Sequence, residues 1–424
     1  MLDLKLIRDN PDLVRAGLRK KGADVAQIDR ILELDRQRRT LVQEVEQLRA
    51  EQNRASGEVA KLKGADREQR IRALRQVSDG LKAVEPKLRT LEEDLDRALR
   101  ALPNLPHESV PLGEDAPANL TLRTWGTKPQ FAFAPRDHVE VGTRLGILDM
   151  ERGAKVAGSR FYYLRGAGVL LEQALMRLGQ DLLVAEGFTP VIPPFLMRPE
   201  LLVSAYGGAA LDTHQIYQVV EEDLVLIGTS EHSVAAMYSE ETFEESRLPL
   251  RLAGISWCFR RESGSYGKDV RGLYRVHQFD KLEMFSFTAP ETSWQEHDYL
   301  VSLPERFLQR LGLHHRVVVL CGGETAAPSA KTYDVETWMP GRSEFGETHS
   351  CSNCTDFQSR RLGIRLRRGG KGTVFAHTLN GTAVATSRAL VAVLENFQQQ
   401  DGSVRVPDAL QPYMGGMQVI APPP

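Results

Sequence analysis

The chain has 424 residues, 42% of them hydrophobic and 26% charged, which is room for two or three domains around a sizeable core. A formal charge of −2 gives no whole-chain sign of a nucleic-acid binder, and four cysteines in this length argue against a disulfide framework. No apolar run reaches ~18 residues, and the opening MLDLKLIRDNPDLV lacks a signal peptide's basic start and apolar middle; the expectation is a cytoplasmic protein with no membrane association.

Residues 1–26 read as a small cap, with Asn10-Pro11 starting a short amphipathic helix. Residues 27–102 carry the clearest periodicity. Ile31, Leu34, Arg38, Leu41, Val45, Leu48, Gln52, Ala55, Val59 and Leu62 alternate steps of 3 and 4. Leu74, Val77, Leu81, Val84, Leu88, Leu91, Leu95, Ala98 and Leu102 do the same. Gly64-Ala65-Asp66 offers the reversal between them, so the spacing predicts an antiparallel helical hairpin with a kink at Pro86. Residues 1–102 hold 23 Lys+Arg against 19 Asp+Glu, while the remainder holds 31 against 37. Arg36, Arg39, Arg49, Arg54, Lys61, Lys63, Arg67, Arg70, Arg72 and Arg75 thicken towards the tip. The pattern alone leaves two readings, a dimerisation coiled coil and an arm that grips RNA phosphates.

Residues 103–118, PNLPHESVPLGEDAPA, read as a linker. Residues 119–424 then form a second domain. It lacks a GxGxxG opening a helix, and it lacks GxxxxGK followed by Ser or Thr, so a doubly wound nucleotide fold is not expected. Short strands at Leu224–Gly228, Val317–Leu320 and Val374–Thr378 suit an antiparallel sheet with segregated helices, an α+β class. Leu170–Glu186 reads as an amphipathic helix, followed by GFTPVIPPFLM, whose Pro193 and Pro194 confine a strand to an edge. Thr229-Ser230-Glu231 precedes another helix, with Ser230 as its cap and Glu231 in its first turn.

The stretch WCFRRESGSYGKDVRGLYRVHQFDKLEMFSF, 257–287, reads as strand, Gly-rich loop and strand. Period-2 geometry puts Arg260 and Glu262 on one face with Arg261 opposite. It puts Phe279, Lys281, Glu283, Phe285 and Phe287 on one face of the second strand. Charges among aromatics are costly unless they pair or bind something small that carries both signs. Further on, Cys351-x-x-Cys354 has no second CxxC to complete a zinc site, which favours ordinary structure. FAHTLNGTAVATSRALVAVLENF reads as strand, Asn380-Gly381 turn and helix. Arg388 lies in the first turns of that helix, where a cation is unfavourable without an anionic partner.

FRRE, a long loop and RVHQFDKLE resemble motif 2 of class II aminoacyl-tRNA synthetases, in the version of the seryl-tRNA synthetases, bacterial type. The helix and Pro-studded strand resemble motif 1, and TSRALVAVLENF resembles motif 3. The resemblance implies the class II antiparallel sheet flanked by helices, preceded by a long antiparallel coiled-coil arm that grips tRNA(Ser). It also implies a homodimer, with ATP, Mg²⁺ and L-serine as ligands and tRNA(Sec) as a further substrate. For ATP it implies Arg260, Arg261, Glu262, the backbone at Val276, Glu347, Thr348, His349, Ser350 and Arg388, with Glu347 and Ser350 near Mg²⁺. For serine it implies Thr229, Ser230, Glu231, Arg260, Glu283, Asn380 and Thr382. Arg260 and Arg388 are the expected catalytic residues. Two alternatives stay open. One is an interaction protein that keeps only the arm. The other is a paralogous ligase that loads another acceptor or resists a seryl-adenylate mimic.

Overall fold

The computed structural model describes residues 1–207, 215–263, 272–370 and 372–423; most of the Gly-rich loop expected after Ser263 lies outside the described residues. The chain divides into two compact units, one of Leu2–Arg19 and Ala23–Pro103, the other of Met1, Lys20–Gly22 and the chain from Asn104 onward.

The smaller unit is helical. Asp3 caps α1 (Leu4–Asp9) by accepting from Lys5 N at 2.8 Å. Pro11 opens α2 (Pro11–Lys20), where its missing N–H has no partner to lose. α3 (Ala26–Val59) and α4 (Gly64–Ala101) form the hairpin. Ion pairs fix its antiparallel sense: Arg38 with Glu92 at 3.0 Å, Arg49 with Glu85 at 2.8 Å, and Arg70 with Glu58 at 2.7 Å. The heptad seam is the buried one, centred on Val45, Leu81 and Val84, with Leu41, Leu48 and Leu88 packed beside them. At 1.5 Å per residue each helix is roughly 50–57 Å long. One detail differs from the sequence reading: the chain reverses at residues 60–63, and Gly64, at φ +62°, already starts α4. The helix runs through Pro86 without a break, as expected of a proline off the seam.

The larger unit is built on one sheet. Its strands among the described residues are β1 (Leu120–Trp125), β2 (Thr189–Val191), β3 (Leu250–Phe259), β4 (Gln278–Thr288), β5 (His315–Val319), β6 (Lys331–Met339), β7 (Glu344–Thr355) and β8 (His377–Ala385). Their order is β1-β5-β6-β7-β8-β4-β3-β2. Neighbours are antiparallel throughout, apart from the terminal pair β2 and β3, which is parallel. The expected antiparallel sheet is present, with a parallel pair only at that edge, where among the described residues Pro190 and the following Pro193-Pro194 have no further strand to pair.

The helices that matter for the site are α5 (His138–Arg144), α6 (Ala167–Ala185), α7 (Ser230–Ala236), α8 (Ser293–Leu311) and α9 (Thr386–Asn396). Leu171, Leu175 and Leu182 of α6 and Phe307 and Leu308 of α8 join Leu282, Met284 and Val384 in the main core. A Cβ on Gly179 would sit 2.5 Å from Val384 Cγ2, so only glycine lets α6 approach this closely. Alternation sends Phe285 and Phe287 of β4 to a second core with Phe243 and Val234. The predicted turn at Asn380-Gly381 is not there: β8 continues from His377 to Ala385 and leads straight into α9. Gly381 is needed for packing instead, because a Cβ would lie 2.6 Å from Cys351 Sγ. Among the described residues no helix is long and apolar enough to cross a membrane.

Candidate active site

β3 and β4 pair from Leu250 with Phe287 to Phe259 with Gln278, the strand–loop–strand predicted from the sequence. A cavity of about 510 Å³ lies on the face that carries Phe279, Lys281 and Glu283. It gathers residues that are far apart in the chain: Thr229 and Glu231 at the start of α7, Arg260 and Glu262 beyond β3, Val276 before β4, Glu347, Thr348 and Ser350 of β7, Asn380 and Thr382 of β8, and Arg388 of α9.

Two β-bulges explain this membership. β6 pairs Val335 with His349 and Glu336 with Glu347, so Thr348 is an extra residue on β7. The bulge turns Glu347 and Thr348 to the same side, after which Ser350 and Ser352 keep the cavity face by alternation. A second irregularity, between Thr382 and Val384 on β8, shifts the parity so that Ala385, after Asn380 and Thr382, again faces the cavity.

The same alternation removes His349 from the cavity. It is buried against Phe307 on the helix side, its Nδ1 is 2.9 Å from Thr348 Oγ1, and burial pushes its pKa down to about 3. Its expected ATP contact is therefore corrected. Two more expectations fail for similar reasons. Thr229, not Ser230, caps α7, accepting from Glu231 N at 3.2 Å. Ser230 is buried with its hydroxyl towards Gly254 O at 3.4 Å. Arg261 is exposed and is not part of the cavity wall. Glu262, by contrast, reaches the cavity from a left-handed backbone, φ +46°, that ordinary strand geometry does not supply.

Both charge signs line the cavity, largely as ion pairs. Arg260 Nε donates to Gly228 O at 3.1 Å, and its guanidinium lies 5.4 Å from the Phe279 ring centre. Arg388 pairs with Glu347 at 2.7 Å and sits 5.0 Å over the Tyr274 ring, whose hydroxyl donates to Glu347 O at 3.1 Å. Burial alone would pull the Arg388 guanidinium's pKa down, but Glu347 outweighs it and holds it above the usual value. Burial likewise pushes the Glu347 carboxyl up, yet Arg388 brings it below the ordinary carboxylate range. On the other side Lys281 lies 2.5 Å from Glu283. Burial, then the charge of Glu283, raises Glu231 to about 7, against the pull of Lys281, Gln358 and Arg260. Gln358 Nε2 donates to Glu231 Oε1 at 2.8 Å and Thr378 Oγ1 to Gln358 Oε1 at 2.6 Å, which fixes the carboxyl's orientation.

Lys281, Tyr274 and Gln358 were absent from the sequence-derived site. Alternation with Phe279 and Glu283 was signal enough for Lys281. Nothing local marks Gln358, which reaches Glu231 from 127 residues away. Among the described residues there is no group of three or more His, Cys, Asp or Glu placed to hold a metal ion. Cys351 and Cys354 are both buried, the first in the main core and the second near Asn380 Nδ2 at 3.6 Å. A second cavity, about 830 Å³, opens on the opposite face of β4, lined by Ile255, Trp257, Gln278, Asp280 and the flank of α6.

Comparison with known proteins adds to this geometry. Residues 1–106 match the seryl-tRNA synthetase N-terminal domain and residues 215–397 the class II tRNA synthetase core domain (G, H, P, S and T). The chain is 44% identical to the serine–tRNA ligase of Dictyoglomus thermophilum, over 98% of each chain. It resembles the crystal structure of seryl-tRNA synthetase from Pyrococcus horikoshii complexed with ATP, with a TM-score of 0.95 and 41% identity over the full length of both. It also resembles cytoplasmic serine–tRNA ligase from Naegleria fowleri in complex with AMP, with a TM-score of 0.90 and 35% identity over 99% of each chain. Relatives span bacteria and archaea, so a bacterial type is not distinguished. Full-length identity above 40%, with both domains in order and the motif 2 and motif 3 arginines lining one cavity, settles the family: the chain belongs to the seryl-tRNA synthetases, the serine–tRNA ligases of class II.

Proposed function

We propose that the cavity activates L-serine with ATP and that the arm presents tRNA(Ser), and also tRNA(Sec), for transfer of serine to the 3′ end. The observation that carries this reading is that one cavity is lined both by Glu262, Glu347 and Arg388 and by Glu231, Glu283, Asn380 and Thr382, with the charge of Arg260 acting on both Glu347 and Glu231. In the first step a serine carboxylate oxygen attacks the α-phosphorus of ATP, and the bond to the β-phosphate oxygen breaks, releasing pyrophosphate. A carboxylate is nucleophilic at neutral pH, so orientation and charge neutralisation are what the site must supply. Arg260 bridges the α-phosphate and the serine carboxylate, for which a planar fork suits both. Glu262, with the backbone at Val276, takes the adenine amino group, and Arg388 takes the terminal phosphates. Thr348 lines the same wall.

Glu231 and Glu283 receive the serine ammonium and hydroxyl, with Thr229, Asn380 and Thr382 around the side chain. Such a pocket rejects alanine because its buried polar groups would go unpaired. In the second step a hydroxyl of the tRNA's terminal adenosine attacks the seryl carbonyl, and AMP leaves. Mg²⁺ fits the donor set: Glu347 and Ser350 offer oxygen ligands on the phosphate wall, and an ion carried by ATP needs only one or two protein oxygens. When bound it neutralises phosphate charge.

The remaining proposals concern partners. Residues 1–102 bind tRNA, and Lys61, Lys63, Arg67, Arg72 and Arg75 are exposed at the tip of the hairpin. Arg70 is spent on the hairpin itself, pairing with Glu51 and Glu58. Exposed Leu170, Val184 and Ile192 on α6 and after β2 support a homodimer through this motif 1 surface, and the cytoplasm is the proposed location. Serine-dependent exchange of pyrophosphate into ATP tests the first step, and charging of tRNA(Ser) and tRNA(Sec) transcripts tests the second. Exchange that is absent with serine overturns the reading; exchange without charging supports a ligase for another acceptor.

A further inference from the structure

Behind the phosphate wall lies a buried dyad that touches no part of the cavity. Glu395 of α9 is fully buried and His138, the first residue of α5, is 5% exposed. Glu395 Oε1 accepts from His138 N at 3.1 Å and lies 2.9 Å from His138 Nδ1, and Oε2 accepts from Gly341 N at 2.9 Å. On the far side of the ring, His138 Nε2 is 3.0 Å from the amide nitrogen of Leu273. An amide can only donate, so Nε2 is the bare nitrogen and Nδ1 carries the hydrogen that Glu395 accepts.

The partners of this dyad are all neighbours of the phosphate wall. Leu273 precedes Tyr274, which supports both Arg388 and the Glu347 carbonyl. Gly341 lies in the turn joining β6 to β7, and β7 carries Glu347. Glu395 follows Arg388 by two helical turns on α9. The ring is tightly seated: a Cβ on Gly272, which has φ +82°, would lie 2.1 Å from His138 Nε2. A neutral histidine with both nitrogens engaged is the group that can accept from a backbone amide on one side and donate to a carboxylate on the other. An apolar filler of the same size would leave the Leu273 N–H buried and unpaired.

We infer that His138 and Glu395 are positioning residues for nucleotide binding, registering the returning arm of motif 2, through Leu273, against the Arg388 helix and the β6–β7 turn. The inference rests on the proposed assignment of the Glu347–Arg388 wall to ATP. It is tested by pyrophosphate exchange with ATP and serine varied separately. In His138→Asn the amide nitrogen replaces Nδ1 and still donates to Glu395, but nothing accepts from Leu273. KM for ATP is expected to rise about five- to tenfold, the effect of one lost hydrogen bond, with KM for serine nearly unchanged. In His138→Gln the side-chain oxygen reaches the Nε2 position and accepts from Leu273, so KM for ATP returns to within about twofold of the parent.

A merely structural role predicts equal changes in both KM values, or equal loss in the two variants; either result overturns the inference. If H138N does not fold, Gly272→Ala displaces the ring from the opposite side, and unchanged KM for ATP in that variant is equally fatal. Arg388→Ala, measured alongside, separates the two levels. If it leaves ATP binding intact, the wall is wrongly assigned. If it impairs ATP binding while H138N does not, the dyad alone is wrongly read.

Discussion

With Glu231 assigned to the serine ammonium, as proposed above, serine recognition is expected to depend on pH. The Glu231 carboxyl is buried beside Glu283 and titrates at about 7 with no substrate bound. A serine ammonium needs the ionised form, which is about nine tenths of the protein at pH 8 and about one tenth at pH 6. kcat/KM for serine is therefore expected to fall about tenfold from pH 8 to pH 6, while KM for ATP changes little. Bound ammonium favours the carboxylate, so serine binding near pH 7 releases about half a proton, which calorimetry in buffers of different ionisation heat detects. Glu231→Gln removes both the slope and the proton release and weakens serine binding by about 2 kcal/mol, roughly 30-fold, the value of a charge-assisted hydrogen bond. Asp280, raised to about 7 chiefly by burial and then by Glu172, lies in the other cavity and is unchanged in that variant, so it serves as the internal control. A flat profile from pH 6 to 8, or a slope that survives in E231Q, refutes the reasoning. Stability runs the other way. Glu231 keeps its proton in the folded state between the unfolded value of about 4.5 and 7, so its contribution to stability declines as pH rises through that window.

Gly381→Ala pushes a methyl into Cys351 Sγ and Met284 Cε and is expected to destabilise by about 1–3 kcal/mol; an unchanged denaturation midpoint shows that the sheet has slack there. Lys61, Lys63 and Arg67 changed together to Gln should raise KM for tRNA and flatten its salt dependence by about two to three in log–log slope, with pyrophosphate exchange untouched. Equal salt slopes for the two proteins count against the tip as a phosphate contact. Chelating Mg²⁺ should abolish exchange reversibly, and Glu347→Gln should raise the Mg²⁺ needed for half-maximal exchange several-fold; indifference to the substitution moves the ion elsewhere. Arg260→Lys keeps the charge but loses the fork, and a drop in exchange of at least about tenfold is expected.

Much of this protein is legible in one dimension because much of its geometry is periodic. The 3–4 spacing from Ile31 to Leu102 with a reversal between its halves suits two helices packed seam to seam, and the ion pairs Arg38–Glu92 and Arg49–Glu85 lie across that antiparallel pairing. Alternation along 279–287 likewise put Phe279, Lys281, Glu283, Phe285 and Phe287 on one face before any partner strand was known; the structure lines the cavity with the first three and buries the two phenylalanines in a core further along the strand. What a single strand does not carry is a change of parity. The bulges at Thr348 and near Ala383 exist only because β6 and β4 pair opposite them with one residue fewer. Those bulges decide that Glu347 and Thr348 share the cavity while His349 leaves it. The reach of Gln358 to Glu231, the seat of His138 behind Tyr274, and the turn that dissolved into β8 at Gly381 are of the same kind. The sequence by itself determined the helical hairpin, the order of the main elements and which charged residues share a strand face, since local periodicity suffices for these; which of them would meet ATP and serine came only from the resemblance to the synthetase motifs. Only the tertiary structure decided which side chains arrive, because partner strands and buried hydrogen bonds from distant segments set the final register.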